Sequence, residues 1–314
     1  MPRLFVSWII LVVTLVGAGA VAGAFDPRAY SGNKQTARCK AVRRSPPPSK
    51  DVDIKIRYVD IKPRKNLESA TTILMVHGWP SLWSTWSKQI EEFENDYRLI
   101  IPNLRGFGDS THTGDVRSSG TMGDMVNDLV CVLNNAGVRQ AVCLGHDWGS
   151  GVCYEAVRAR PDVFIGVIGA AIPYVSAAGP FLPIKALVPR LPKLAYQLFF
   201  DGSVEDAAAE LDADVKRTMR AALRTVDSPP PKSFLTSNKT FLGAWEGVEI
   251  PPVPFFSPVE EEYYVEEMRR QGFKHTLHFY TSENRYHSWA FAHGQGNHTL
   301  RQPALAVYPT KVSN

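Results

Sequence analysis

The chain has 314 residues, enough for one large α/β domain or two smaller ones. Apolar residues make up 44% and charged residues 21%, which excludes a disordered or fibrous chain. The net charge of +4 is scattered along the sequence, so no nucleic-acid footprint is present.

The N-terminus reads as a targeting segment. Arg3 precedes an apolar run, Leu4 to Val16, and small residues lead to Ala22-Gly23-Ala24. This is the pattern of a cleaved secretory signal over residues 1–24, with an uncleaved membrane anchor through residues 4–24 as the alternative. Either reading places the chain in the secretory pathway, secreted or membrane-associated. Two glycosylation acceptor triplets, starting at Asn238 and Asn297, agree with it. Residues 25–50, rich in Pro, Ser, Arg and Gly, are expected to form a loosely ordered lead-in.

An α/β core is expected over residues 51–176. Ile54, Ile56 and Tyr58 alternate with charged residues, as in a half-buried strand. Continuous apolar runs at Thr71 to Val76, Tyr97 to Ile101, Gln140 to Leu144 and Val163 to Ile172 read as central strands. Between them Thr121 to Gly137 has apolar residues at helical spacing, with Thr121 as cap and Gly137 as stop. Strands alternating with helices imply a parallel sheet. From Ala177 to Tyr286 the character changes: prolines cluster, and Val204 to Thr225 is expected to be one amphipathic helix. This segment, 177–286, reads as a helical lid. Residues 287–314 return to the core only in part, through a strand at Ala304 to Val307. Of the four cysteines, Cys131 on a helix and Cys143 in a strand read as buried free thiols. The compartment permits a disulfide without naming a pair. No zinc spacing exists, and no metal or cofactor is implied.

The chemistry centres on Gly145-His146-Asp147-Trp148-Gly149. A strand precedes it and a helix-like stretch, Ser150 to Ala159, follows. This is the context of a nucleophile elbow, G-x-S-x-G, with aspartate in place of serine. A carboxylate there suits attack on an electrophilic carbon, giving an ester. Taken alone, Asp and Gly are also ordinary turn residues.

Three motifs together, His77-Gly-Trp-Pro80, Arg105-Gly-Phe-Gly-Asp-Ser110 and the aspartate elbow, resemble the epoxide hydrolases of the α/β-hydrolase fold. The resemblance runs from about residue 52 to residue 308 and implies an α/β-hydrolase fold with an inserted helical lid. It implies that Asp147 is the nucleophile and that backbone N–H groups of Trp79 and Trp148 form the oxyanion hole. The segments around Tyr196 and Tyr280 match the family's two lid tyrosines, which hold the epoxide oxygen. Pro80 is then expected in a cis bond. His77 and His146 belong to their motifs as structural residues near the pocket, with Phe199 among the lid aromatics. The implied partners are a small apolar epoxide and water.

One part of the family pattern is not found. Ester hydrolysis needs a histidine after the last strand and an acid after the first strand beyond the lid. After Val307 the sequence reads Tyr308-Pro-Thr-Lys-Val-Ser-Asn314, without Asp, Glu or His. The last strand and helix of the fold are therefore expected to be missing. The other histidines after the elbow, at 275, 278, 287, 293 and 298, fall in or beside the lid. The expected consequence is an enzyme that stalls at the ester or is inactive. Two rival readings stand beside it. One is a haloalkane dehalogenase, which shares the aspartate elbow but commonly has Asn where this chain has Trp79. The other is a non-catalytic binding protein on the same fold.

Overall fold

The computed structural model describes residues 24–65, 69–296 and 298–309. The proposed signal or anchor and Asn297 lie outside these. Among the described residues no helix is long and apolar enough to cross a membrane.

The sheet has seven strands: β1 (Lys34–Arg43), β2 (Lys50–Ile61), β3 (Thr72–Val76), β4 (Arg98–Pro102), β5 (Ala141–His146), β6 (Phe164–Ala170) and β7 (Ala304–Val307). Their spatial order is β1-β2-β4-β3-β5-β6-β7. β1 pairs antiparallel with β2, and β2 with β4; every other pair is parallel. The expected mostly parallel α/β sheet with a helical insertion is what the chain forms.

Residues 25–50 differ from the expected lead-in. They hold a 3-10 turn at Pro27–Asn33 and the ten-residue strand β1. The inward residues of β1 are Ala37, Cys39 and Ala41, all buried. Small side chains carry a weak hydrophobic signal. Pairing with β2 along its whole length, not intrinsic preference, makes this segment a strand.

Alternation in the central strands feeds two cores. Leu74 and Val76 of β3 join the cluster that holds α2 (Met122–Asn135) and α3 (Trp148–Ala159). Ile73 and Met75 face the opposite side, with Trp83, Trp86 and Ile90 of the turn and helix α1 (Ser87–Phe93). α2 starts as its sequence implies. Thr121 accepts from the backbone N–H of Asp124, and Asp124 returns a bond to the Thr121 backbone.

The lid contributes α4 (Ile184–Leu187), α5 (Tyr196–Gly202), α6 (Val204–Ala213), α7 (Val215–Ala222) and α8 (Pro258–Arg269). The single helix expected over 204–225 is two, because Asp214 leaves the helical conformation and caps α7 by accepting from Arg217 N. Helix α9 (Ser282–Gly294) crosses position 286, where the lid was expected to end. It is tied to α2: Asn284 Oδ1 accepts from Gly120 N, and Ser288 Oγ from Met122 N, both at 2.9 Å.

The cysteines are not free thiols. Cys39 of β1 is bonded to Cys131 of α2, and Cys143 of β5 to Cys153 of α3. Each pair joins a strand to the helix packed on it. A strand-to-helix pairing of distant residues is a tertiary fact, which spacing along the sequence does not encode.

Candidate active site

The site lies at the C-terminal ends of β3 and β5, which are neighbours in the sheet. Ligands collect at this end of parallel sheets. β5 ends at His146 and α3 begins at Trp148, so a single residue, Asp147, makes the turn. Its backbone sits at φ 54°, ψ −128°, a conformation that costs energy for any side chain. The surroundings force it. A Cβ on Gly145 would lie 2.3 Å from Gly149 O, and one on Gly149 would lie 2.1 Å from Val76 O. Ser150 Oγ, 2.9 Å from Gly145 O and 2.7 Å from Ala170 O, locks the turn from beneath.

Backbone donors meet the Asp147 carboxylate. Its Oδ1 accepts the Trp79 backbone N–H at 2.9 Å, and the Trp148 backbone N–H also bonds the group. Desolvation raises its pKa above the ordinary carboxylate value, against these two donors. The Trp79–Pro80 bond is cis, as expected. Trp79 is fixed at its far end, where Nε1 donates to Thr276 Oγ1 at 2.9 Å.

The lid brings both tyrosines to this spot. Tyr196 opens α5, and Tyr280 closes a 3-10 segment, Lys274–Tyr280. Their ring centroids are 5.7 Å apart. Tyr280 packs edge-on against Trp79 at 5.4 Å and Trp148 at 5.6 Å. Burial raises the pKa of both phenols, and the Asp147 charge raises them further. At neutral pH both therefore carry protons.

Other predicted residues take supporting places. His77 is fully buried: its Nε2 accepts from Leu104 N at 3.0 Å and its Nδ1 lies 2.8 Å from Gly78 O. Burial lowers its pKa to about 4, so it is a neutral strut between the β3 and β4 loops. His146 is exposed, and its ring lies against Trp86. Arg105 forms a buried two-pronged pair with Asp128 of α2. Phe199 is buried, but its recorded ring contact is only with Phe200. It is Phe200 that touches Trp79, Tyr196 and Tyr280, at 5.3, 5.3 and 5.1 Å. Two polar residues of the segments that match the lid tyrosines were given no role by the sequence: Gln197, adjacent to Tyr196, and Arg285, five positions after Tyr280. The only signal was a lone cation near a lid tyrosine.

No histidine among the described residues hydrogen-bonds Asp147. His112 and His275 stack on each other, His278 holds His275 O, and His293 holds Ala177 O. No group of described side chains could hold a metal ion. A surface groove of about 460 Å³ runs beside α9, lined by Arg117, Phe181, Asp201 and Tyr286 among others, and does not include Asp147 or the tyrosines.

A family model described as alpha/beta hydrolase fold matches residues 71–308. The chain is 28% identical over 255 residues to bifunctional epoxide hydrolase 2 of Rattus norvegicus, covering 78% of this chain and 45% of that protein. It is 26% identical over 257 residues to epoxide hydrolase A of Mycobacterium tuberculosis, covering 77% and 75%. The chain thus spans about half the length of the rat relative. The crystal structure of epoxide hydrolase A from Mycobacterium thermoresistibile superposes with a TM-score of 0.68 at 22% identity, over 87% of this chain and 82% of that one. With more than half its length matched by the family model and a solved fold that superposes on it, the chain belongs to the alpha/beta hydrolase fold family.

Proposed function

We propose that this chain opens epoxides. An oxygen of the Asp147 carboxylate attacks an epoxide carbon, the two lid phenols receive the ring oxygen, and an alkyl–enzyme ester forms. Water attack on the ester carbonyl would then give a vicinal diol, with the oxyanion held by the Trp79 and Trp148 N–H groups. The observation that carries this reading is the convergence of one elbow carboxylate and two phenols in a single aromatic enclosure. A nucleophile that lacks its own acid needs donors opposite it, and the tyrosines supply them. The rat and mycobacterial relatives named as epoxide hydrolases support the same chemistry. The aromatic walls favour a small apolar epoxide, with water as the second substrate and no cofactor.

None of the described histidines hydrogen-bonds Asp147, and on that geometry the ester is expected to outlive ring opening. The secretory reading of the N-terminus is supported by the two disulfides, which persist in oxidising compartments.

Intact mass spectrometry after incubation with an aryl epoxide tests both steps. A stable adduct on Asp147 supports the nucleophile and the stalled ester. Diol without adduct overturns the long-lived ester. Neither product overturns epoxide opening, and halide release from a haloalkane in a parallel incubation would replace it with dehalogenation.

A further inference from the structure

We propose that Arg285, acting through Gln197, fixes the direction of the hydrogen bonds at Tyr196 and makes Tyr196 the proton donor to the epoxide oxygen. The inference rests on the epoxide-opening reading.

The geometry is a relay of three groups. Arg285 Nη2 donates to Gln197 Oε1 at 2.6 Å, and Gln197 Nε2 donates to Tyr196 Oη at 3.1 Å. A guanidinium only donates, so the amide oxygen of Gln197 must face it. The amide N–H₂ must then face Tyr196. Tyr196 Oη is thereby used as an acceptor, and its own proton is left for another oxygen. Without Arg285 the amide would be free to turn over, and the Tyr196 proton would be spent on Gln197.

The cation is built in rather than incidental. Its Nε donates to Phe279 O at 3.1 Å, and its plane sits 5.1 Å from the Trp148 ring centroid. Among the described residues no carboxylate lies within salt-bridge distance of it. The acid that attracts it, Asp201, is held by Ser282, whose backbone N–H donates at 2.7 Å. Its charge is therefore turned toward the phenols. The groups that face Tyr196 are Asp147, which raises its pKa, and Arg285, which lowers it.

The step balances. A carboxylate oxygen of Asp147 forms a bond to carbon, the carbon–oxygen bond of the ring breaks, and the ring oxygen takes the Tyr196 proton. The negative charge moves from Asp147 to Tyr196, where Gln197, Tyr280 and Arg285 receive it. Arg285 touches no reacting atom; it is a positioning residue.

The test follows styrene oxide consumption by the full chain from about pH 6 to about pH 11, because burial holds the Tyr196 phenol above its ordinary value of about 10. Arg285→Met is expected to slow ring opening about tenfold, the worth of a hydrogen bond to a charged group. It should also move the high-pH limb upward, because the cation no longer favours the tyrosinate. Arg285→Lys should restore part of both effects. Gln197→Met, which keeps the cation, should slow the step similarly and serves if Arg285→Met does not fold. An active wild type with variants of equal rate and unchanged limb overturns the assignment of Arg285 alone. A wild type that neither consumes epoxide nor gains mass overturns the epoxide reading and this assignment with it.

Discussion

The elbow and the lid are built by different physics, although they meet at one spot. The elbow is local. A strand, one strained residue and a helix follow one another over Ala141–Ala159, and two glycines leave room for a turn that no larger residue permits. The lid tyrosines are separated by more than eighty positions, and tertiary contacts alone bring them together. Trp79 reaches Thr276, Arg285 reaches Gln197, and Phe200 fills the space between the rings. The elbow is therefore expected to fail by losing its reacting group or its fold. The lid is expected to fail by losing orientation while the fold survives.

The sharpest test of that contrast is Asp147→Asn. It should abolish adduct formation, by roughly a thousandfold or more, as removal of a nucleophile does. It should also stabilise the protein at neutral pH. The folded pKa of Asp147 is raised, so stability is lost as the pH rises from the unfolded value of about 4 toward the folded one. The variant's gain in Tm should be present at pH 7 and vanish below about pH 4, where the carboxyl is protonated in both states. An equal or lower Tm at pH 7 would mean that the two backbone donors outweigh desolvation at the elbow.

Next in size is the clip between Cys39 and Cys131, which closes a separation of 92 residues. Replacing both with serine should cost about 4.6 kcal/mol by chain entropy in the unfolded state, read from the denaturation midpoint. The Cys143–Cys153 pair closes only 10 residues and should cost about 3 kcal/mol. A reversed order would show that the elbow is held by its disulfide more than by its glycines.

Acid should act on the core in the opposite sense to the Asp147 charge. His77 is buried neutral with a pKa of about 4, whereas an unfolded histidine titrates near 6.5. Its folded pKa is depressed, so its contribution is intact above pH 6.5 and is lost as the pH falls toward 4. The loss amounts to about 3 kcal/mol. His278, held at about 3 in the lid, adds a loss of the same sign. His77→Asn should lower stability at pH 7 yet flatten its fall between pH 6.5 and 4. An unchanged slope would remove His77 from the balance.

The same contrast explains what could be read from the sequence. The elbow, the central strands and the capped helix α2 were legible, because each follows from spacing within about a dozen residues. Tyr196 and Tyr280 were legible only through the likeness of their flanking residues to a known family. β1 was not legible, since Ala37, Cys39 and Ala41 are strand residues by partnership with β2. Nor was the break at Asp214, a cap inside an otherwise continuous apolar pattern. The two disulfides and the Arg285–Gln197 bond join residues that only the folded chain brings together.

The smallest expected effect lies where the two regions join. Thr276 Oγ1 accepts from Trp79 Nε1 and donates to Phe273 O at 2.6 Å, linking the loop after β3 to the lid. Thr276→Val keeps the shape and removes both bonds. It leaves a half-buried indole N–H without its partner, at a cost of about 1–2 kcal/mol. If lid and core are separable, that cost should fall on the lid. Amide exchange should quicken in α5 and the Lys274–Tyr280 segment while β3 and β5 keep their protection. If β3 and β5 exchange faster by the same factor, the two regions open as one unit. The aromatic cluster that Phe200 and Tyr280 share with Leu74 and Val76 would then be the bond between them, not the polar latch.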